Sequence, residues 1–172
     1  MDRERLRAAQ SPIKERYRRE PEAALVVLRA SGALDGDDIA CSVETGRALV
    51  EAGLHPATGG SGALACSGDM LLQALVACAG VTLRSVATSL EIPVSGTVRV
   101  EGDLDFRGTL GIAKDGEAPV GFSAIRLSFD LQGVETDEQL ERLLRLTERY
   151  CVVYQTLAKG VPVTISCQSD GS

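Results

Sequence analysis

Apolar positions in this chain follow two periods, and the switches between them mark its elements. Residues 2–20 are dominated by Arg and Glu, which predicts a solvated helical arm, bent or broken at Pro12 and ended at Pro21. The run Leu25-Val26-Val27-Leu28 predicts a strand over 23–29, and Ser31-Gly32 and Asp35-Gly36-Asp37 carry turn chemistry. Stretches 39–43 and 48–52 then read as further strands of a meander joined near Thr45-Gly46, and 53–62 is a loop by composition. Residues 67–91 predict a long helix with Ser67 as its cap and Asp69 complementing its dipole. Apolar residues from Met70 to Leu83 surround its axis almost completely, the signature of a buried central helix, and Pro93 ends it.

Strict alternation follows. Val98, Val100, Leu104 and Phe106 point one way and Arg99, Glu101, Asp103, Asp105 and Arg107 the other, a strand with one wet face. Ile125, Leu127, Phe129 and Leu131 repeat the pattern after a polar connection over 111–119, which predicts a long antiparallel hairpin. Thr136-Asp137-Glu138-Gln139 has the form of a capping box and opens a second helix running to about Lys159. Its stripe is Leu140, Leu143, Leu144, Thr147, Tyr150, Cys151, Tyr154 and Leu157, and Gly160 and Pro162 stop it. Val163, Ile165 and Cys167 alternate along a last short strand. Strands, helix, long strands, helix and strand in that order predict an α+β fold, not a parallel βαβ repeat.

At 172 residues the chain fits one ordinary domain, read as an arm over 1–21 and a domain over 22–172. With 3% aromatics and no Trp, its core must be aliphatic. A net charge of -6 argues against nucleic acid and membrane surfaces as partners, since both reward a basic face. The N-terminus leads into no apolar signal region, and the Met70–Leu83 stretch is short of the roughly 20 residues a membrane span needs. A cytoplasmic chain is expected. Its five cysteines are odd in number, with no C-x-x-C and a single histidine, so neither a disulfide framework nor a zinc site is expected.

Cys78 and Cys151 lie on the buried faces of the two predicted helices. If both helices pack into one core, the two thiols can approach, and a disulfide requires Cα atoms within about 7 Å. Apolar burial alone makes a thiol inert, so a functional one needs a nearby cation, most readily an arginine. Read singly, each is equally a small core hydrophobe.

Ser67-Gly68-Asp69-Met70-Leu71-Leu72 through Ala77-Cys78-Ala79-Gly80 resembles the central helix of the OsmC/Ohr family, the osmotically inducible and organic hydroperoxide resistance proteins. Glu148-Arg149-Tyr150-Cys151-Val152-Val153 resembles its second cysteine motif, where Val152 replaces the usual proline; Asp69 likewise stands in place of a glutamate. The resemblance spans roughly residues 22–168. It implies an OsmC-like fold, with antiparallel sheets wrapped around two long central helices, in an intertwined homodimer with interfacial active sites. It further implies a thiol-dependent peroxidase without a cofactor. Cys78 attacks an organic hydroperoxide, Cys151 resolves the sulfenic acid as a disulfide, and an external thiol reductant restores the pair. The family also holds its thiolate with an arginine positioned by a carboxylate, and Asp69 falls at the carboxylate's place. Nine residues of helix separate Asp69 from Cys78, about 13.5 Å of rise and the opposite face, so an arginine would have to bridge them. A first-turn dipole partner is the plainer role for Asp69. Arg47 and Arg29 are the candidate arginines; spacing does not choose, and Arg47 is preferred as nearer the first helix.

Two other readings stay open: a non-enzymatic dimer binding a small apolar ligand with structural cysteines, and a protein of sulfur transfer or thiol exchange. His55 can line the pocket or act as an acid, and a loop residue anchored by hydrogen bonds is its plainer role; Cys66 can be a third redox thiol, and a loop position is its plainer role. Cys41 and Cys167 read as core, and Tyr150 and Tyr154 as pocket wall.

Overall fold

A computed structural model of the chain describes residues 3–33, 42–43 and 52–166, with side chains over 8–26 and 52–166. Helix α1 (Arg3–Arg19), a 3-10 turn (Pro21–Ala24) and β1 (Leu25–Ala33) are followed by β2 (Ser42–Val43) and β3 (Ala52–Gly53). A second 3-10 turn (Pro56–Thr58) and β4 (Ala65–Cys66) lead straight into α2 (Ser67–Ser89). Then come β5 (Ser95–Asp105), one-turn α3 (Phe106–Thr109), β6 (Phe122–Gln132), α4 (Asp137–Tyr150) and α5 (Val152–Lys159). Mixed α and β with an antiparallel sheet is what the alternation predicts.

The main sheet has the order β2-β1-β5-β6, with every neighbouring pair antiparallel; β3 and β4 form a separate two-residue parallel pair. The period of two decides the faces of β5. Val98, Val100 and Leu104 are buried, while Arg99 stands exposed near Asp130 at 3.8 Å. On the same wet face Arg126 of β6 reaches Glu101 at 3.5 Å and Asp103 at 2.6 Å. Between the buried positions, Gly102 has no side chain for a reason. A Cβ there would stand 2.5 Å from the Phe122 ring and 3.3 Å from Leu72 Cδ2. Glycine lets Phe122 lie across β5, where it forms one wall of the groove described below.

Several elements depart from the sequence expectations. Strand β1 runs through Ser31-Gly32 to Ala33, pairing with β5 over its whole length, so the expected turn is strand. A long ladder offers every residue a backbone partner, which outweighs local turn chemistry. Phe106 leaves the strand because the Asp105 carboxylate accepts the Arg107 N–H at 3.0 Å and caps α3. Helix α1 passes through Pro12 unbroken, and it is not wholly solvated. Tyr17 is buried and donates its hydroxyl to the Ala57 carbonyl at 3.0 Å, tying the arm to the 54–60 loop. No strand forms over 163–166. Val161, Val163 and Ile165 are 55%, 83% and 97% exposed, and the segment has no ladder partner among the described residues. The strand expected over 48–52 is described only at Ala52, and Thr45, Gly46, Cys41 and Cys167 lie outside the described residues.

Helix α2 is the centre of the molecule, packed against β1 and β5 and against α4 and α5. Leu72, Leu75, Val76, Ala79, Gly80, Leu83, Val86 and Ala87 are its buried residues, at the 3-and-4 spacing of one helical face. It is not buried all round, as its composition predicts: Met70, Leu71 and Val81 are more than a third exposed. Ser67 is not its cap. Because β4 runs directly into the helix, the extended residue is Cys66 (φ −80°, ψ 132°), which makes no side-chain capping bond. By length and composition alone this 23-residue helix, at a mean hydropathy of 1.6, could cross a membrane, a match that the shorter Met70–Leu83 stretch conceals. Burial in a protein core asks for the same composition, and nearly half of that apolar stretch is buried in the fold.

Candidate active site

Helix α4 opens on Thr136, whose Oγ1 accepts the Gln139 N–H at 3.2 Å, while Gln139 Oε1 accepts the Glu135 N–H at 3.1 Å. This is the predicted reciprocal cap, displaced by one residue at its second bond. The buried face then runs Leu143, Thr147, Cys151. The expectation of one unbroken helix to Lys159 fails at Cys151. Its backbone is extended (φ −72°, ψ 109°), and it both ends α4 and begins α5.

The break rearranges the backbone donors. The Cys151 N–H still closes on the Thr147 carbonyl at 2.9 Å, and the Cys151 carbonyl accepts the Gln155 N–H at 2.9 Å. Between them, the N–H groups of Val152, Val153 and Tyr154 form the first turn of a new helix and have no partner within it. Tyr154 N–H donates to Cys151 Sγ at 3.5 Å, and the Val152 and Val153 N–H groups stand near enough to Cys78 to lower its thiol. Two features support the bend. Thr147 Oγ1 donates back to the Leu143 carbonyl at 2.8 Å, a bond that bends helices. Glu148 spans the joint, accepting from the Tyr154 hydroxyl at 2.9 Å and, through its carbonyl, from Gln155 Nε2 at 2.8 Å. A signal for the break was present in the resembled motif. Proline is favoured at the first position of a helix and pushes the residue before it to extended dihedrals. Val152 keeps that geometry and adds an N–H that proline lacks.

The two thiols are free, adjacent and electrostatically unlike. Burial alone would push Cys78 up. The Val153 N–H, the Cys151 thiol, the Val152 N–H and the Thr82 hydroxyl together outweigh it and hold Cys78 below its ordinary range. Hydrogen bonds to a charged group contribute about 1.5–3 kcal/mol each, so several converging donors can overcome partial burial without a cation. Cys151, 1% exposed, is driven the other way. Burial and the neighbouring Cys78 charge raise it to about 11, against the opposing N–H bonds of Tyr154 and Val153.

Two grooves flank this pair. Helices α4 and α5 pack on α2 and leave a cavity of about 570 Å³ between themselves and β6. It is lined mostly by apolar residues, among them Phe122, Ile125, Leu127, Phe129 and Leu157, and it meets the thiols at Cys151. A second depression of about 420 Å³ runs over α2 and is lined by Val81, Thr82, Ser85, Val86, Ser89 and Tyr150. The tyrosines flanking Cys151 therefore face different grooves: Tyr154 lines the larger, and Tyr150, under the Arg149 guanidinium at 5.3 Å, the smaller.

The other candidates lie elsewhere. Asp69, in the first turn of α2, feels His55 rather than Cys78; burial raises its carboxyl and the His55 charge opposes the rise. His55 is anchored, as its loop predicts. Its Nδ1 accepts the Ala57 N–H at 3.0 Å, and its ring stacks on Phe106 at 4.7 Å. Cys66 is half-buried at the start of α2. Arg29 lies in β1 opposite Glu101, and Arg47 lies outside the described residues. Thr82 and the first-turn N–H groups of α5 escaped the sequence reading. Thr82 stands one turn beyond Cys78 on α2, the spacing at which side chains on a helix meet.

Thr82→Val removes one donor without changing shape. At neutral pH, alkylation of Cys78 by iodoacetamide is expected to slow about tenfold, the worth of one hydrogen bond to a charged group. The variant recovers as pH rises, because losing a donor to the thiolate raises the thiol's pKa and alkaline pH restores the thiolate. A rate–pH profile identical to that of the unmodified chain refutes this role.

The family model for OsmC-like proteins matches residues 60–166, a span that includes both cysteine motifs and the hairpin between them. The chain belongs to the OsmC-like family. Among solved structures, this OsmC-like chain is similar to an OsmC-like hydroperoxide resistance protein from Jannaschia sp. CCS1, with a TM-score of 0.56 and 17% identity. That alignment covers 87% of this chain and 97% of the other, and at such identity it speaks for a shared fold alone. No curated protein matches the OsmC-like chain.

Proposed function

We propose that this OsmC-like chain is a cysteine-based peroxidase that reduces organic hydroperoxides. The observation that carries the reading is the break at Cys151. It brings the first-turn N–H groups of a helix, which lower Cys78, and a second free thiol beside that sulfur. Donors to sulfur and the positive end of a helix favour the thiolate, which is the nucleophile. Cys78 attacks the terminal peroxide oxygen and becomes a sulfenic acid; Cys151 condenses with it to a disulfide, and an external thiol reduces the bond. Apolar walls beside the pair favour alkyl over hydrogen peroxide, by roughly 25 cal/mol for each Å² of alkyl surface buried.

Arg47 is the arginine we propose to face the thiolate, with Asp69 as the carboxylate that positions it. A homodimer belongs to the same proposal: it would cover Val161, Val163 and Ile165, which one copy leaves exposed. So do the division into an arm over 1–21 and a domain over 22–172, and residence in the cytoplasm, where thiols are kept reduced.

The test is peptide mapping after one equivalent of an organic hydroperoxide is added to the fully reduced protein. The expected product is a Cys78–Cys151 disulfide, two protons lighter, formed within seconds. If both thiols survive, the peroxidase reading fails and the 570 Å³ groove becomes a binding site for an apolar ligand.

A further inference from the structure

The peroxidase reading leaves one proton unassigned. When a thiolate attacks a hydroperoxide, the O–O bond breaks and the alkyl-bearing oxygen departs as an alkoxide, a strong base that must be protonated as it leaves. We propose that Cys151 is that acid as well as the resolving thiol, so that its S–H protonates the departing oxygen while Cys78 is being oxidised.

The geometry comes from where the larger groove ends. Its lining includes Cys151 and not Cys78. A hydroperoxide with its chain between Phe122, Ile125 and Leu157 places its alkyl-bearing oxygen against Cys151 and its terminal oxygen against Cys78. The Cys151 thiol is among the groups that hold Cys78 down, which puts its S–H beside the reacting sulfur. The sulfur is held from behind by the Tyr154 N–H at 3.5 Å, a bond that also stabilises the thiolate left after the proton is given up. Thr82, the other side-chain donor to Cys78, is a far weaker acid and lines the other groove. Two neighbouring groups with protonation driven in opposite directions is the usual arrangement of a nucleophile and its acid. Cys78 is held below the ordinary thiol range, while Cys151, raised to about 11, still carries its proton at neutral pH.

The step balances. The Cys78 thiolate, ROOH and the Cys151 thiol become Cys78 sulfenic acid, ROH and the Cys151 thiolate. That thiolate then displaces hydroxide from the sulfenic sulfur and forms the disulfide. Two electrons pass from the thiol pair to the peroxide. Giving up the proton therefore arms Cys151 for its second task, with no separate deprotonation of a thiol that burial keeps neutral.

This inference rests on the peroxidase reading, and leaving-group dependence separates the two. Single-turnover loss of the Cys78 thiol is followed in wild type, Cys151→Ala and Cys151→Ser, with cumene hydroperoxide and with peracetic acid. Each variant is measured at a pH where an alkylation titration shows its Cys78 fully ionised. Peracetic acid expels a carboxylate, which needs no proton. In Cys151→Ala the cumene hydroperoxide rate is expected to fall about a hundredfold, the scale of general acid catalysis, while the peracetic acid rate stays nearly unchanged. Cys151→Ser, which keeps a weaker donor, recovers part of the cumene hydroperoxide rate. Equal slowing with both oxidants, or no slowing with either, overturns the acid role and leaves Cys151 a resolving thiol only. Wild type whose Cys78 survives both oxidants overturns the peroxidase reading itself.

Discussion

Cys78→Ser is expected to fold normally and to lose hydroperoxide consumption by at least about a thousandfold, equivalent to roughly 4 kcal/mol of transition-state stabilisation. The substitution replaces one heavy atom in a half-buried position on α2, so packing changes little. What changes is the nucleophile. A serine hydroxyl stays protonated under the same N–H donors that ionise the thiol, and a hydroxyl does not attack a peroxide oxygen. In the unmodified chain the rate should rise with pH through the titration of Cys78 and then level off. That plateau begins below the range of an ordinary cysteine, because the donors of Val153, Cys151, Val152 and Thr82 outweigh burial. The check is a coupled peroxide-consumption assay beside circular dichroism of both proteins. A folded Cys78→Ser that still turns over peroxide places the chemistry on another residue.

Leu72→Ala carries the largest expected loss of stability. Leu72 is fully buried on α2, directly beneath Gly102 of β5, where a missing Cβ lets Leu72 and Phe122 meet. Truncation removes the transfer energy of the lost methyl groups and leaves a cavity that a helix in contact with both a sheet and two other helices cannot close. The cost is about 2–5 kcal/mol. For a chain of this length, each kcal/mol lowers the melting temperature by about 2–4 °C. Calorimetry on the reduced protein reads it directly, and Leu72→Met, close in volume, should cost less than about 1.5 kcal/mol. A negligible change in Leu72→Ala would mean that α2 does not use this face as its core.

Much of the framework was legible from pattern. Alternation through Val98, Val100 and Leu104 assigns the faces of β5 without coordinates, because side chains on a strand alternate strictly. Thr136 and Gln139 announce the start of α4, since caps are local. The 3-and-4 spacing of Leu143, Thr147 and Cys151 puts one thiol on an inner face, and the motif around Cys78 supplies the other. Strand ends were less legible. Ser31-Gly32 favours a turn, but the long ladder on β5 takes it.

What pattern could not decide was how the thiols differ. The stripe from Leu140 to Leu157 is continuous, so periodicity reads straight through the break at Cys151. The break brings the first-turn N–H groups of α5 to two sulfurs that stand on elements distant in sequence. Only the packed chain places the groove's end at Cys151, sets Thr82 beside Cys78 and leaves Val163 and Ile165 without a ladder among the described residues. Which residues are candidates for chemistry and which faces are apolar was already set in the sequence, because those depend on motif, composition and local period. Only tertiary structure decided which thiol is lowered and which is raised, because hydrogen-bond donors, burial and the neighbouring charge come together only when the elements meet.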